Sequence, residues 1–157
     1  MEHPLQFSLS FLKEKGQKRL EATVQPDAFG PLGETARLTG PVSVDVTARL
    51  DEGCVRLTGK EAGEWELECC RCLARTRSEF GVKIDSMEEE PPETIDALEE
   101  ARQTLILAVP TKPYCRPDCK GLCPRCGTDL NAKTCGCETT PPSRFRITKS
   151  KRGKSDA

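Results

Sequence analysis

The sequence predicts an α+β fold, in which an antiparallel β meander or partly closed barrel carries one helix and a C-terminal zinc-knuckle segment. Three observations predict it. Apolar and polar residues alternate through much of the first 85 positions, helical spacing replaces that alternation from Thr94 to Ala108, and beyond Tyr114 aliphatic residues almost vanish while cysteines crowd together. The chain of 157 residues suits one modest core with appendages. Apolar residues make up 36%, with twelve Gly and twelve Pro, so that core is lean and something besides apolar burial is expected to support it.

Leu5, Phe7, Leu9 and Phe11 alternate with polar residues apart from Pro4 and predict an opening strand. Val42, Val44, Val46, Ala48 and Leu50 alternate more cleanly, and Asp51-Glu52-Gly53 offers a turn into Val55 and Leu57, which reads as a hairpin. After Gly59 to Gly63 the alternation resumes at Trp65, Leu67 and Cys69. It returns at Phe80, Val82 and Ile84 beyond a Cys-rich turn, completing a β-rich core over residues 1–85. Residues 86–93 read as an acidic linker, part of a stretch from Asp85 to Glu100 with eight acidic residues and no basic one. Residues 94–110 read as a helix packing on the sheet, with Ile95, Leu98, Ala101, Leu105 and Ala108 on one side, Thr94 as N-cap and Pro110 as terminator. A Cys-rich zinc segment over 111–140 and a basic tail over 141–157 complete the chain.

The compartment decides how the ten cysteines are read. No secretory signal is readable at the N-terminus, where Lys13, Glu14, Lys15, Lys18 and Arg19 interrupt the apolar residues, and Leu105 to Val109 is too short to cross a bilayer. A reducing, cytoplasmic setting is therefore expected, and there clustered C-x-x-C pairs read as metal ligands more readily than as disulfides. Two residues between cysteines let a tight turn aim both sulfurs at one ion, and zinc takes four such sulfurs tetrahedrally. Cys123-Pro124-Arg125-Cys126-Gly127 is the clearest knuckle, with Gly127 where the chain needs an unusual backbone angle. Cys69-Cys70-Arg71-Cys72 is the second. The arrangement favoured is two zinc ions, one on Cys69, Cys72, Cys115 and Cys119 and one on Cys123, Cys126, Cys135 and Cys137, so that the first staples the C-terminal segment to the sheet. Cys54 and Cys70 are left over as core or surface residues.

Charge divides the chain. Lys112 to Ala157 holds eleven basic against four acidic residues, whereas Met1 to Thr111 holds thirteen against twenty-one. Arg144, Arg146, Lys149, Lys151, Arg152 and Lys154 make the tail a candidate for phosphate-backbone contact, a salt-sensitive and sequence-independent mode of binding. Arg71, Arg116, Lys120, Arg125 and Lys133 beside the cysteines serve either phosphate contact or compensation of the charge that thiolates leave on each site. The single histidine, His3, has no nucleophile to serve and is not expected to be a ligand. No phosphate-binding loop appears, so neither a hydrolase nor a small-molecule substrate is expected.

The run from Leu67 through Cys69-Cys70-Arg71-Cys72-Leu73, the helix into Leu105-Ile106-Leu107-Ala108-Val109-Pro110, and the motif Cys115-Arg116-Pro117-Asp118-Cys119-Lys120-Gly121-Leu122-Cys123-Pro124-Arg125-Cys126-Gly127-Thr128-Asp129-Leu130-Asn131, followed by Cys135-Gly136-Cys137, resemble the YceD family of large ribosomal RNA subunit accumulation proteins. Pro142-Ser143-Arg144-Phe145 stands in the place of that family's closing Pro-Arg-Phe element. The resemblance implies a non-enzymatic role in accumulation or processing of large-subunit (23S) ribosomal RNA, with the RNA, a pre-ribosomal particle or a ribosomal protein as partner. Because some family members lack most of the C-terminal cysteines, it also implies that metal serves local folding. A zinc-dependent protein-interaction module without RNA contact is the alternative. A thiol oxidoreductase using Cys69 and Cys72, or Cys123 and Cys126, lacks the helix-opening βαβ setting that lowers a redox thiol's pKa.

Overall fold

The clean alternation from Val42 onward becomes three long antiparallel strands, β4 (Val42–Asp51), β5 (Cys54–Glu68) and β6 (Arg75–Glu88). These belong to a computed structural model, which describes residues 4–137. The remaining elements are β1 (Gln6–Ser8), α1 (Leu9–Lys15), β2 (Gln17–Val24), α2 (Pro26–Phe29), β3 (Ala36–Leu38), β7 (Thr94–Asp96) and α3 (Ala97–Ala108).

Glu52 and Gly53 close the β4–β5 hairpin with φ of 48° and 90°, the positive angles that a two-residue loop requires to match strand twist. β5 is the axis of the main sheet. β6 lies along its whole length, Val55 opposite Glu88 at one end and Glu68 opposite Arg75 at the other. β4 and β3 share the other edge of β5, and β2 pairs outside β4. The outer strands β2 and β6 form no pairing with one another, so the sheet stays open and is not a barrel. A separate ribbon pairs β1 with β7.

The strand phase fixes the core. Val42, Val44, Val46 and Ala48 point inward from β4, and Val55, Leu57, Trp65 and Leu67 from β5. α3 lies over this face, burying Ala97, Ala101 and Leu105 at helical spacing. Trp65 and Phe80 meet with ring centroids 4.7 Å apart. Glu61 also points inward, opposite Val44 and Val82, fully buried and with neither carboxylate oxygen hydrogen-bonded.

Several elements differ from the sequence reading. The opening strand stops at Ser8, whose hydroxyl accepts from the Phe11 amide and caps α1, while Gly16 at φ 77° ends it. Leu9 and Phe11 are thus helical. β5 does not break at Gly59 to Gly63, because a Cβ at Gly59 would collide with the Asp45 carbonyl and its absence lets the strand continue. β6 runs to Glu88, into the stretch read as an acidic linker, and β7 follows. The helix starts at Ala97, with the Asp96 carboxylate accepting from the Leu98 amide in the capping role expected of Thr94. None of the helices among the described residues is long and apolar enough to cross a membrane.

Candidate metal centres

Two C-x-x-C turns of the same construction carry half of the clustered sulfurs. In the first, the Leu73 amide donates to the Cys69 carbonyl at 2.9 Å and the Cys69 amide to the Ala74 carbonyl at 2.8 Å. In the second, Gly127 donates to Cys123 at 2.9 Å and Cys123 to the Thr128 carbonyl at 2.8 Å. Each turn places the residue after its second cysteine at positive φ, Leu73 at 61° and Gly127 at 70°. Glycine takes that conformation freely; leucine does not. Leu73 is nonetheless 58% exposed, so its side chain contributes little packing there.

The turns are completed from different distances along the chain. Cys69 and Cys72, at the end of β5, are joined by Cys115 and Cys119 after α3, whereas Cys123 and Cys126 are joined by Cys135 and Cys137 a few residues on. Within each set of four the sulfurs lie within 4.8 Å of one another. Cys69 and Cys119 are 3.8 Å apart and Cys72 and Cys115 3.6 Å. A tetrahedron with metal–sulfur bonds of about 2.3 Å has edges of about 3.8 Å, so these two edges match the spacing of a zinc-like site. The donor set, four thiols with no carboxylate or histidine, suits the softer metals. Both clusters could hold a metal ion. None of the ten cysteines forms a disulfide, and Cys54 and exposed Cys70 belong to neither cluster.

The electrostatics within each cluster are divided. Against the burial that opposes ionisation, the amides of Cys72, Cys115 and Arg71 bring Cys69 down to about 6. Burial, reinforced by the Cys119 sulfur, pushes Cys115 up to about 12. In the second cluster the Thr128 hydroxyl and amide bring Cys126 down to about 6, while the Cys126 sulfur and burial push Cys137 up to about 12. One sulfur favours the anion and a neighbour keeps its proton, as close thiols must in sharing negative charge. A bound divalent cation removes that conflict, since ligating thiols are deprotonated.

Three residues sew the first cluster to the segment behind it. Arg71 sends Nη1 to the Cys119 carbonyl at 2.7 Å, lays its guanidinium 4.6 Å from the Tyr114 ring centroid, and accepts the Leu122 amide on its own carbonyl at 3.0 Å. Gly121, at φ 76°, lies so close that a Cβ would sit 2.9 Å from the Arg71 carbonyl oxygen. Asn131 accepts the Lys120 amide and donates its Nδ2 to the Cys119 sulfur, at 2.8 and 3.4 Å. The Cys70 amide adds a bond to the Pro113 carbonyl at 2.9 Å. Arg71 is thus engaged in holding the fold. Sequence reasoning missed the parts played by Asn131, Gly121 and Leu73. The position of Leu73 directly after a C-x-x-C pair, where the other turn has Gly127, was the signal available for it.

The structure brings together Cys69, Cys72, Cys115 and Cys119, and separately Cys123, Cys126, Cys135 and Cys137. Arg144, Arg146, Lys149, Lys151, Arg152 and Lys154, with the Pro142–Phe145 element and His3, lie outside the described residues. Arg116 pairs with Asp118 at 3.5 Å.

The fold and sites define an α+β protein with an open antiparallel sheet to which two four-cysteine clusters are attached. Residues 82–149 match the family model of the large ribosomal RNA subunit accumulation protein YceD, which bears out the resemblance carried by the cysteine motifs within that span. That span holds six of the eight clustered cysteines and α3, and leaves the Cys69–Cys72 turn outside it. Among curated proteins, the chain is similar to an uncharacterized protein of Mycobacterium tuberculosis, at 34% identity over 68% of this chain and 66% of the relative. An uncharacterized protein of Mycobacterium leprae matches at 28% over 57% of this chain and 49% of the relative. The chain thus spans just under two thirds of the length of the first and about half of the second. No solved structure matches it.

Proposed function

We propose that the protein is a non-enzymatic ribosome-biogenesis factor that promotes accumulation or processing of large-subunit (23S) ribosomal RNA in the cytoplasm, with two zinc ions ordering its C-terminal segment. The observation that carries the reading is the family match over residues 82–149. The two thiol clusters support the metal part. Cys69, Cys72, Cys115 and Cys119 would hold one ion and join the end of the sheet to residues beyond α3. Cys123, Cys126, Cys135 and Cys137 would hold the other and fold a segment almost devoid of aliphatic residues. Zinc bound there supplies a structural crosslink and no reaction.

In this reading the RNA, or a pre-ribosomal particle and its proteins, meets the basic C-terminal part of the chain, including Arg144, Arg146, Lys149, Lys151, Arg152 and Lys154. Residues 89–93 join β6 to β7 ahead of the helix, and 111–140 act as the metal-ordered unit. The test is depletion of the protein in its host with measurement of large- against small-subunit ribosomal RNA. The large-subunit RNA is expected to fall selectively, with immature ends accumulating; an unchanged ratio overturns the reading. Reversing the six basic tail residues is expected to abolish RNA association while leaving metal content and the sheet intact.

A further inference from the structure

At the cluster end of the sheet, on the same face as the core, lies a mostly apolar groove of about 380 Å³. Its floor is Leu67 and Cys69, and its far wall is the loop after α3, with Pro110, Pro113, Tyr114 and Pro117. Such a volume falls near the small end for ligand clefts, about 300 to 1,000 Å³, and so suits one planar ring system. Tyr114 is 45% exposed. Tyr114 lines the groove, whereas Arg71, which stacks on its ring at 4.6 Å, does not.

The polar side chains at the mouth are few, two hydroxyls and one ammonium. Thr76 and Ser78 offer hydroxyls from β6. Lys112 stands on the opposite rim and makes no ion pair among the described residues. Arg116 and Lys120 follow in the same loop. No carboxylate lines the groove. An apolar slot with an aromatic wall, hydrogen-bonding hydroxyls and a free ammonium at its edge has the chemistry that receives an unstacked nucleobase and its flanking phosphate.

We propose that this groove accepts one nucleobase of single-stranded RNA, stacked against Tyr114, with Lys112 on the adjoining phosphate. The proposal rests on the ribosomal-RNA reading and gives it a contact within the folded part of the chain, separate from the basic tail. One exposed aromatic ring serves a single base, so a low aromatic content of 4% is no obstacle. The site also has a built-in reporter. Trp65, the one tryptophan of the chain, lies two residues before Leu67 on the same strand face and directly opposite Ser78. Its indole N–H is buried without a hydrogen-bond partner.

The test uses the full-length, metal-loaded protein with a short mixed-sequence single-stranded RNA and a duplex of the same sequence. The single strand is expected to bind and shift Trp65 emission, and the duplex to leave that emission unchanged. Tyr114→Ala is expected to weaken single-strand binding about tenfold or more, the loss typical of a stacked base, while Tyr114→Phe keeps it. Lys112→Gln is expected to lower the slope of log affinity against log salt by about 0.7, one phosphate contact on a single strand. Because Tyr114 also supports Arg71, Ser78→Phe provides an independent variant, filling the groove from the sheet side without touching that stack. It too is expected to abolish the Trp65 response, with zinc content unchanged. If the parent protein binds ribosomal RNA but Tyr114→Ala and Ser78→Phe bind the single strand as it does, the groove assignment is overturned and the ribosomal reading stands. If the parent binds neither the single strand nor ribosomal RNA, both fail.

Discussion

Up to Leu105 the buried side chains are mostly aliphatic and aromatic, drawn from every strand and all three helices into one core; past Leu105, among the described residues, the buried positions are Pro113, Gly121 and two thiols, Cys119 and Cys123. The first region can fold by removing apolar surface from water. The second has too little such surface and depends on its sulfurs. The two regions therefore respond to different reagents, and their pH responses run in opposite directions. Ligating thiols must lose protons, so a metal bound at the clusters would hold the second region better as pH rises. The first region contains Glu61, whose burial without a partner raises it to about 8, so that region is held better as pH falls.

The largest expected effect comes from removing metal. Chelation at neutral pH is expected to release residues 110–137 while the sheet persists, read as loss of hydrogen-exchange protection after α3 with β4, β5 and β6 still protected. Loss of the sheet at the same chelator concentration would break the comparison. Cys119→Ser is expected to detach the segment from β5, whereas Cys137→Ser should unfold only the second cluster. The reason is the span closed: Cys69 to Cys119 ties together residues far apart in sequence, and a longer closed loop removes more unfolded-state entropy.

Next is Glu61. The folded state keeps its proton to about pH 8, against an ordinary value of 4.5, so stability is full below about pH 4.5 and declines as the unfolded chain ionises. The decline is at most about 1.4 kcal/mol per pH unit and flattens above pH 8. Val44 and Val82 opposite Glu61, and Gly59 and Gly63 beside it on the same face, carry no charge to offset it. Glu61→Gln is expected to remove this slope from urea melts of the sheet. A parent protein with a flat profile between pH 5 and about pH 8 would contradict the unpartnered burial on which the shift rests.

Smaller effects sharpen the seam between the regions. Gly121→Ala forces a methyl against the Arg71 backbone at positive φ and is expected to cost about 1 to 3 kcal/mol, seen as uncoupled melting of sheet and segment. Leu73→Gly has the opposite sign. Relieving the strained angle of an exposed leucine is expected to stabilise the first turn by about 1 kcal/mol, read as slower metal release to a competing chelator.

The alternation of β4 to β6 and the grouping of eight cysteines were legible because both are patterns of spacing. β2 was legible too and was overlooked: Lys18, Leu20, Ala22 and Val24 alternate with Arg19, Glu21 and Thr23, but charges hide the period. α1 was misread because Leu5 to Phe11 fits a strand until Ser8 and Gly16 are weighed as cap and stop. Glu61 could not be placed from its residue type, since a charged residue within an alternating strand is expected to face water. Tyr114, Arg71 and Asn131 depend on contacts between distant segments, which spacing does not encode.

The most direct test of the account is metal stoichiometry by native mass spectrometry on reductively purified protein, with Cys119→Ser and Cys137→Ser beside it. Two zinc ions in the parent and one in each variant are predicted. A parent without metal, carrying disulfides among the same cysteines, would contradict it.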